Sequence, residues 1–255
     1  MLRGIVLAMA AWLLLSGAVL AHHSREYIEL ESYTTAKQGQ KVIYTHYDYF
    51  VMDSDNPKQD HYELTPGFSY GITDRLMLDC HTHFAKFGPA HIVPGEDAYD
   101  PIGPSPFLEA VALTGHYRIS EPEQFPFDIA GSLLYEYPLP TSKRLLDGAS
   151  AFELTLIISK EVGKDTNICC NLNTGQEGDE WMNGYGLGIK TPIGSDSKGA
   201  EVGLEIFGDF KNAFRALPGA YLPLQDNTTL KLGLGLGNKA SQEELRFHIS
   251  LMMRY

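Results

Sequence analysis

From residue 41 onward, apolar and polar residues alternate with period two in one segment after another, and stripes at i, i+3, i+4 and i+7 are scarce. Period two is the signature of a strand with unlike faces, not of a helix. The alternation predicts six strands near residues 41–52, 61–72, 75–87, 107–119, 127–139 and 151–162. Six more follow near 166–173, 180–191, 200–210, 215–222, 229–237 and 244–255.

The closing segment carries the clearest pattern. Phe247, Ile249, Leu251, Met253 and Tyr255 share one face, while His248, Ser250 and Arg254 share the other. One face suits lipid and the other a polar lumen. An even strand number returns both chain ends to one side of a membrane, and the connections then alternate in length. The turns at 73–74, 120–124, 163–165, 194–199 and 225–227 are short, whereas 88–105, 140–150, 175–179 and 238–243 form longer outer loops. Two outer connections, 53–59 and 211–214, are shorter than this contrast predicts. The expectation is an all-β fold, a transmembrane antiparallel up-and-down β-barrel of about 12 strands built from residues 41–255.

What precedes the barrel reads as an export signal: a basic Arg3, an apolar run from Ile5 to Leu20, and small residues around Val19-Leu20-Ala21. Cleavage after Ala21 makes residues 1–21 a signal peptide and His22 the new N-terminus. Residues 22–40 fit neither part, and they are expected in the periplasm or as a plug in the lumen. Past the signal, no apolar run approaches the ~18 residues that a spanning helix needs.

Composition narrows the function. The chain has 20 basic and 32 acidic residues; without Arg3 the balance becomes 19 against 32, a net charge of −13. Such a surface excludes nucleic acid as a partner. The cysteines Cys80, Cys169 and Cys170 have no CxxC spacing, so neither a zinc site nor a disulfide framework is indicated, although a single bridge to Cys80 stays open.

The run Tyr62-Glu63-Leu64-Thr65-Pro66-Gly67-Phe68-Ser69-Tyr70-Gly71-Ile72-Thr73-Asp74-Arg75-Leu76 resembles the strand–turn–strand signature of the outer-membrane transporters of the MetA-pathway phenol-degradation family, with echoes at Pro218-Gly219-Ala220-Tyr221. In specific residues the resemblance is confined to this first hairpin. It implies a barrel and passage of small solutes, including aromatic or hydrophobic compounds, and carries no catalytic residues. The last strand, ending on an aromatic, also resembles outer-membrane barrels in general, in which it is read by the barrel-assembly machinery; that implies outer-membrane lipid and this machinery as partners.

Strand parity assigns the lumen. It turns Tyr44, His46 and Asp48 inward from the first strand, His61 and Glu63 from the second, Asp79, His81 and His83 from the third, and His116 and Arg118 from the fourth. His248 falls beside the first strand once the barrel closes. Tyr44, Asp48, Glu63, Asp79, Arg118 and Lys190 are the expected solute contacts. His46, His61, His81, His83 and His116, with carboxylates among them and His22-His23 at the new N-terminus, form a candidate Cu²⁺ or Zn²⁺ path. Ordinary solvated lumen histidines would give the same pattern. Further inward charges are Asp128, Glu136, Glu153, Glu161, Glu201, Glu205 and Asp209 against Lys190, Lys231, Arg246 and Arg254, an acidic excess that favours cations unless the charges pair across strands.

Glycines at 184, 186, 188, 233 and 235 share the lumen face. They lack the GxGxxG spacing of a nucleotide loop, and are expected to let strands bend or to leave room in the bore. Ser69 and Ser132 also face inward, but no nucleophile elbow surrounds them, so no enzyme activity is expected. Three readings stand: an outer-membrane channel for small solutes, a metal-binding or metal-uptake barrel, and a soluble exported β-sandwich that binds a ligand.

Overall fold

The computed structural model describes residues 27–87, 106–120, 125–140, 149–163, 165–194, 199–238 and 243–255. The expected signal peptide, His22-His23 and the loop 88–105 lie outside the described residues. Twelve strands follow in order: β1 Lys41–Val51, β2 His61–Gly71, β3 Leu76–Phe87, β4 Phe107–Arg118, β5 Asp128–Pro138, β6 Ala151–Val162, β7 Thr166–Glu177, β8 Glu180–Pro192, β9 Glu201–Asp209, β10 Phe214–Gln225, β11 Thr228–Gly237 and β12 Leu245–Arg254.

Every strand pairs antiparallel with its sequence neighbours, and β12 pairs with β1 to close the sheet. The closing register sets Val42 opposite Arg254 and Asp48 opposite His248. Lys41 N–H donates to the Tyr255 carbonyl at 2.9 Å and Tyr255 N–H donates back at 2.8 Å, so the last residues seal the seam. A single closed sheet replaces the two packed sheets of a sandwich, and the sandwich reading falls with it.

Parity then separates the faces. Ile43, Phe68, Leu113, Leu133, Leu154, Ile189 and Ile249 stand on the outside, each substantially exposed, while Asp48, Ser69, His116, Lys190, Glu205 and His248 are buried inside. An apolar exterior around a polar interior is the membrane-barrel arrangement, opposite to that of a water-soluble protein. None of the described residues forms a helix long and apolar enough to cross a membrane; the crossing is made by strands.

Three prolines, Pro66, Pro218 and Pro223, sit inside strands, and the first two open a gap in one ladder without changing its register. Pro66 pairs with Thr45 on β1, but the ladder to β3 is interrupted between Leu64 and Gly67 and resumes in the same register. Pro218 does the same on β10: it pairs with Leu204, and the ladder to β11 is interrupted between Ala216 and Gly219. A residue without an N–H cannot donate to the neighbour on that side, so each of these two prolines opens a two-residue gap in one ladder and leaves the register intact.

One expected loop is corrected. Strand β7 runs on to Glu177, so the outer connection expected at 175–179 is a hairpin turn at Gly178 and Asp179, with Gly178 at φ 55°. Asn173, Thr174, Gly175 and Gln176 all pair with β8, and that pairing carried the strand past the point where alternation fades. The cysteines are free: Cys169 is buried inside, whereas Cys80 is exposed and Cys170 half-buried.

Candidate channel lumen and the segment that occupies it

The wall formed by β1 to β4 and β12 gathers most of the expected residues. The Tyr44 hydroxyl donates to the Asp79 carboxylate at 2.8 Å and lies 3.3 Å from His81 Nδ1. Asp79 also accepts from Ser69 Oγ at 2.6 Å and His81 Nδ1 at 2.8 Å. Tyr44 reaches that far because its ring lies over Gly67, where an added Cβ would sit 2.2 Å from Tyr44 Cζ. Asp48 accepts from His248 Nδ1 at 2.7 Å and Arg246 Nε at 2.8 Å. His46 stands between the Tyr44 and His248 rings, with centroids at 4.8 and 5.5 Å.

Nearer the loop end, His61 Nε2 lies 3.8 Å from Glu63, and His83 Nε2 lies 3.3 Å from Glu136. A bulge at His83 and Phe84 brings Glu109 onto this face, within electrostatic reach of Glu63 and Glu136. Two expected residues lie elsewhere. Arg118 sits at the end where β1 begins and β12 ends, its guanidinium donating to the Asp74 carbonyl and lying over the Tyr33 ring at 5.7 Å. Lys190 is buried on β8, 3.0 Å from Glu201 and over the Tyr221 ring at 4.8 Å.

The histidines do not share one centre. Four of the five expected ligands face a carboxylate each, His116 being 3.7 Å from Glu31, and His46 is held by rings. Among the described residues, the groups placed to share an ion are Glu29, Asp48 and His248, with ligand atoms within 4.8 Å of one another. Arg246 already bridges both carboxylates, at 2.8 Å from Asp48 and 3.1 Å from Glu29, so a cation is in place there as a guanidinium. Nor do the serines make a catalytic group. Ser69 is bound to Asp79; Ser132 stands across the ladder from His116, but its hydroxyl makes no hydrogen bond to the imidazole, the contact by which a base activates a nucleophile.

The lumen is also filled by residues 27–36, whose role parity could not reveal. Ile28, Glu29 and Leu30 donate three successive backbone N–H groups to the single carboxylate of Glu205, at 2.7, 3.0 and 2.9 Å. Tyr221 donates to the same carboxylate at 2.8 Å. Lys231 Nζ donates to the Tyr27 carbonyl at 2.6 Å, and the Tyr27 hydroxyl donates to Asn167 Oδ1 at 2.8 Å. The Glu29 carboxylate meets both Arg215 and Arg246. Further on, Tyr33 donates to the Ser120 carbonyl at 2.8 Å, and Thr35 to the Asp74 carbonyl at 2.8 Å, where the chain leaves for β1.

The lumen glycines receive this segment. A Cβ on Gly219 would lie 2.2 Å from Ile28 Cδ1, one on Gly186 2.2 Å from Leu30 Cδ2, and one on Gly188 2.5 Å from Leu30 Cδ1. The apolar core inside the barrel is built around the same residues: Tyr27, Leu30 and Tyr33 pack with Ala130, Ile157 and Cys169, and Ile28 packs with Leu217 and Tyr221. Two cavities flank the segment. One of about 460 Å³ lies against β1 to β4 and extends to Gln40 and Arg254 at the terminal end. The other, about 410 Å³, lies against β7 to β10 and extends to Asn183 and Phe214 at the loop end. Glu29, Leu30 and Glu31 line both.

No protein-family profile matches the chain, and no curated protein sequence matches it. Its fold is similar to solved porins. A KdgM porin is 10% identical with a TM-score of 0.55, covering 83% of this chain and 98% of that one. A NanC porin is 10% identical with a TM-score of 0.53, over 83% and 98% of the two chains. A KdgM porin in complex with disordered oligogalacturonate gives 10%, 0.53, and 84% and 98%. At this identity the likeness is one of fold. Closed barrel, apolar exterior and porin fold together describe a bacterial outer-membrane protein.

Proposed function

We propose that this protein is an outer-membrane channel for small solutes and that its lumen favours cations and neutral polar or aromatic compounds over anions. The observation that carries the reading is the cluster of carboxylates Glu63, Glu109 and Glu136 on the wall of β2 to β5, near the loop end of a closed barrel. A cluster of acidic side chains on the lumen wall lowers the energy of a passing cation and raises that of an anion. The oligogalacturonate held by one KdgM porin is a polyanion, and an acid-lined entrance of this kind would oppose such a ligand. Neutral aromatics, the class implied by the hairpin around Pro66 and Gly67, pass an acidic wall without that charge penalty.

Reconstitution into planar bilayers under a KCl gradient tests the reading, with a reversal potential expected on the K⁺-selective side. Anion-selective current would overturn it. So would a folded barrel that passes neither ions nor neutral solute in any variant, including those that release residues 27–36 from the wall.

A further inference from the structure

We infer that residues 27–31 are a removable stopper, and that the wall of β8 to β11 is a docking groove built to hold this peptide across the channel. The inference rests on the channel reading and adds the element that closes it.

The groove recognises an extended peptide at three levels. Glu205, fully buried, takes three consecutive backbone N–H groups, which no single mobile ion or water would match. Lys231 donates to the carbonyl of Tyr27, so the backbone is gripped at donors and acceptor alike. Gly186 and Gly219 open notches that Leu30 and Ile28 enter. The position is therefore specified by side-chain identity as well as by backbone.

Three features make the segment a stopper and not a piece of the barrel. The hydrogen-bond ladder from β1 to β12 is closed without it, so its departure breaks no strand pairing. The N–H groups of residues 28–30 all go to one side chain, and a carboxylate released from them would face a water-filled bore that can hydrate it. Finally, Glu29, Leu30 and Glu31 are the shared partition between the two cavities, one toward the terminal end and one toward the loop end. Lifting them joins the two spaces into a single path.

The experiment uses full-length protein in planar bilayers, with heat-modifiable gel migration confirming that each variant is folded. Glu205→Ala removes the backbone grip, and Gly186→Leu fills a notch independently of it. Glu205→Ala is expected to raise the open fraction roughly tenfold or more, since losing one charge-assisted hydrogen bond suffices for that shift. Gly186→Leu is expected to raise it as well, by crowding Leu30 out of its notch. In a background with all three native cysteines changed to serine, Ile28→Cys with Gly219→Cys should form a disulfide. Ile28 Cγ1, the position a cysteine sulfur would take, lies 3.5 Å from a Cβ at 219. The oxidised pair is expected to hold the channel shut, and a reductant to reopen it. Equal conductance in oxidised, reduced and released forms would overturn the stopper while leaving the channel reading standing. Silence from every folded variant would overturn both.

Discussion

Lys190 shows how this lumen handles charge. Its ammonium is 1% exposed and survives burial because Glu201 lies 3.0 Å away and the Tyr221 ring covers it at 4.8 Å. Changing Lys190 to Met strands the Glu201 carboxylate, which should cost about 3–5 kcal/mol, whereas Lys190→Met with Glu201→Gln should recover much of it. Urea titrations followed by gel migration would measure both. The inward orientation of Lys190 and Glu201 was legible in the sequence, because parity fixes which face a residue takes. Their partnership was not, since pairing depends on the register between β8 and β9, which sets Pro192 opposite Glu201 and leaves Lys190 opposite Gly203, one lumen position along the strand. Glu205 makes the same point more strongly: its face was readable, but its partners lie more than 170 positions earlier in the chain.

At the scale of the strand, the two faces should respond unequally to the same chemistry. Leu154 on β6 is 51% exposed on the outer face. An arginine there, if near the bilayer midplane, should cost about 2–4 kcal/mol in lipid. Arginine at Asn173 on β7, where Asn173 Nδ2 donates to Glu153 at 2.9 Å, meets a carboxylate in the lumen and should cost less. Folding titrations into vesicles distinguish the two. Strand positions were read closely from alternation, and the largest miss, the far end of β7, came where polar residues occupy both faces. Asn173, Thr174 and Gln176 give no apolar rhythm, and only the β8 partner shows that they belong to the sheet. The prolines mark the opposite case, since Pro66 and Pro218 look like breakers yet are absorbed by a two-residue gap in the ladder on one side only.

At the scale of the whole barrel, the acidic entrance predicts a selectivity that can be diminished in steps. Glu63→Gln together with Glu136→Gln should move the K⁺ to Cl⁻ permeability ratio toward unity without loss of the barrel, read from the reversal potential. His61, His81, His83 and His116 are expected to act as lumen lining tied to carboxylates, with no shared ion. Zn²⁺ titration of detergent-solubilised protein should then give the same curve for wild type and for His81→Ala with His83→Ala. A marked drop in affinity would instead support the metal reading.

The sequence by itself determined the class of molecule, the strand count and the face of the lumen residues on regular strands, because these follow from a period-two pattern that each strand carries locally. Tertiary structure decided what those faces meet. Closure set His248 against Asp48 across the β1–β12 seam, a bulge turned Glu109 into the entrance, and the glycines of β8 and β10 became seats for Leu30 and Ile28. Residues 27–36 alternate only briefly, over Ile28-Glu29-Leu30-Glu31, a run that suits a further strand as well as a plug, so no local rule could place them. Their conformation is imposed by the wall that receives them, a wall that exists only once all twelve strands have closed.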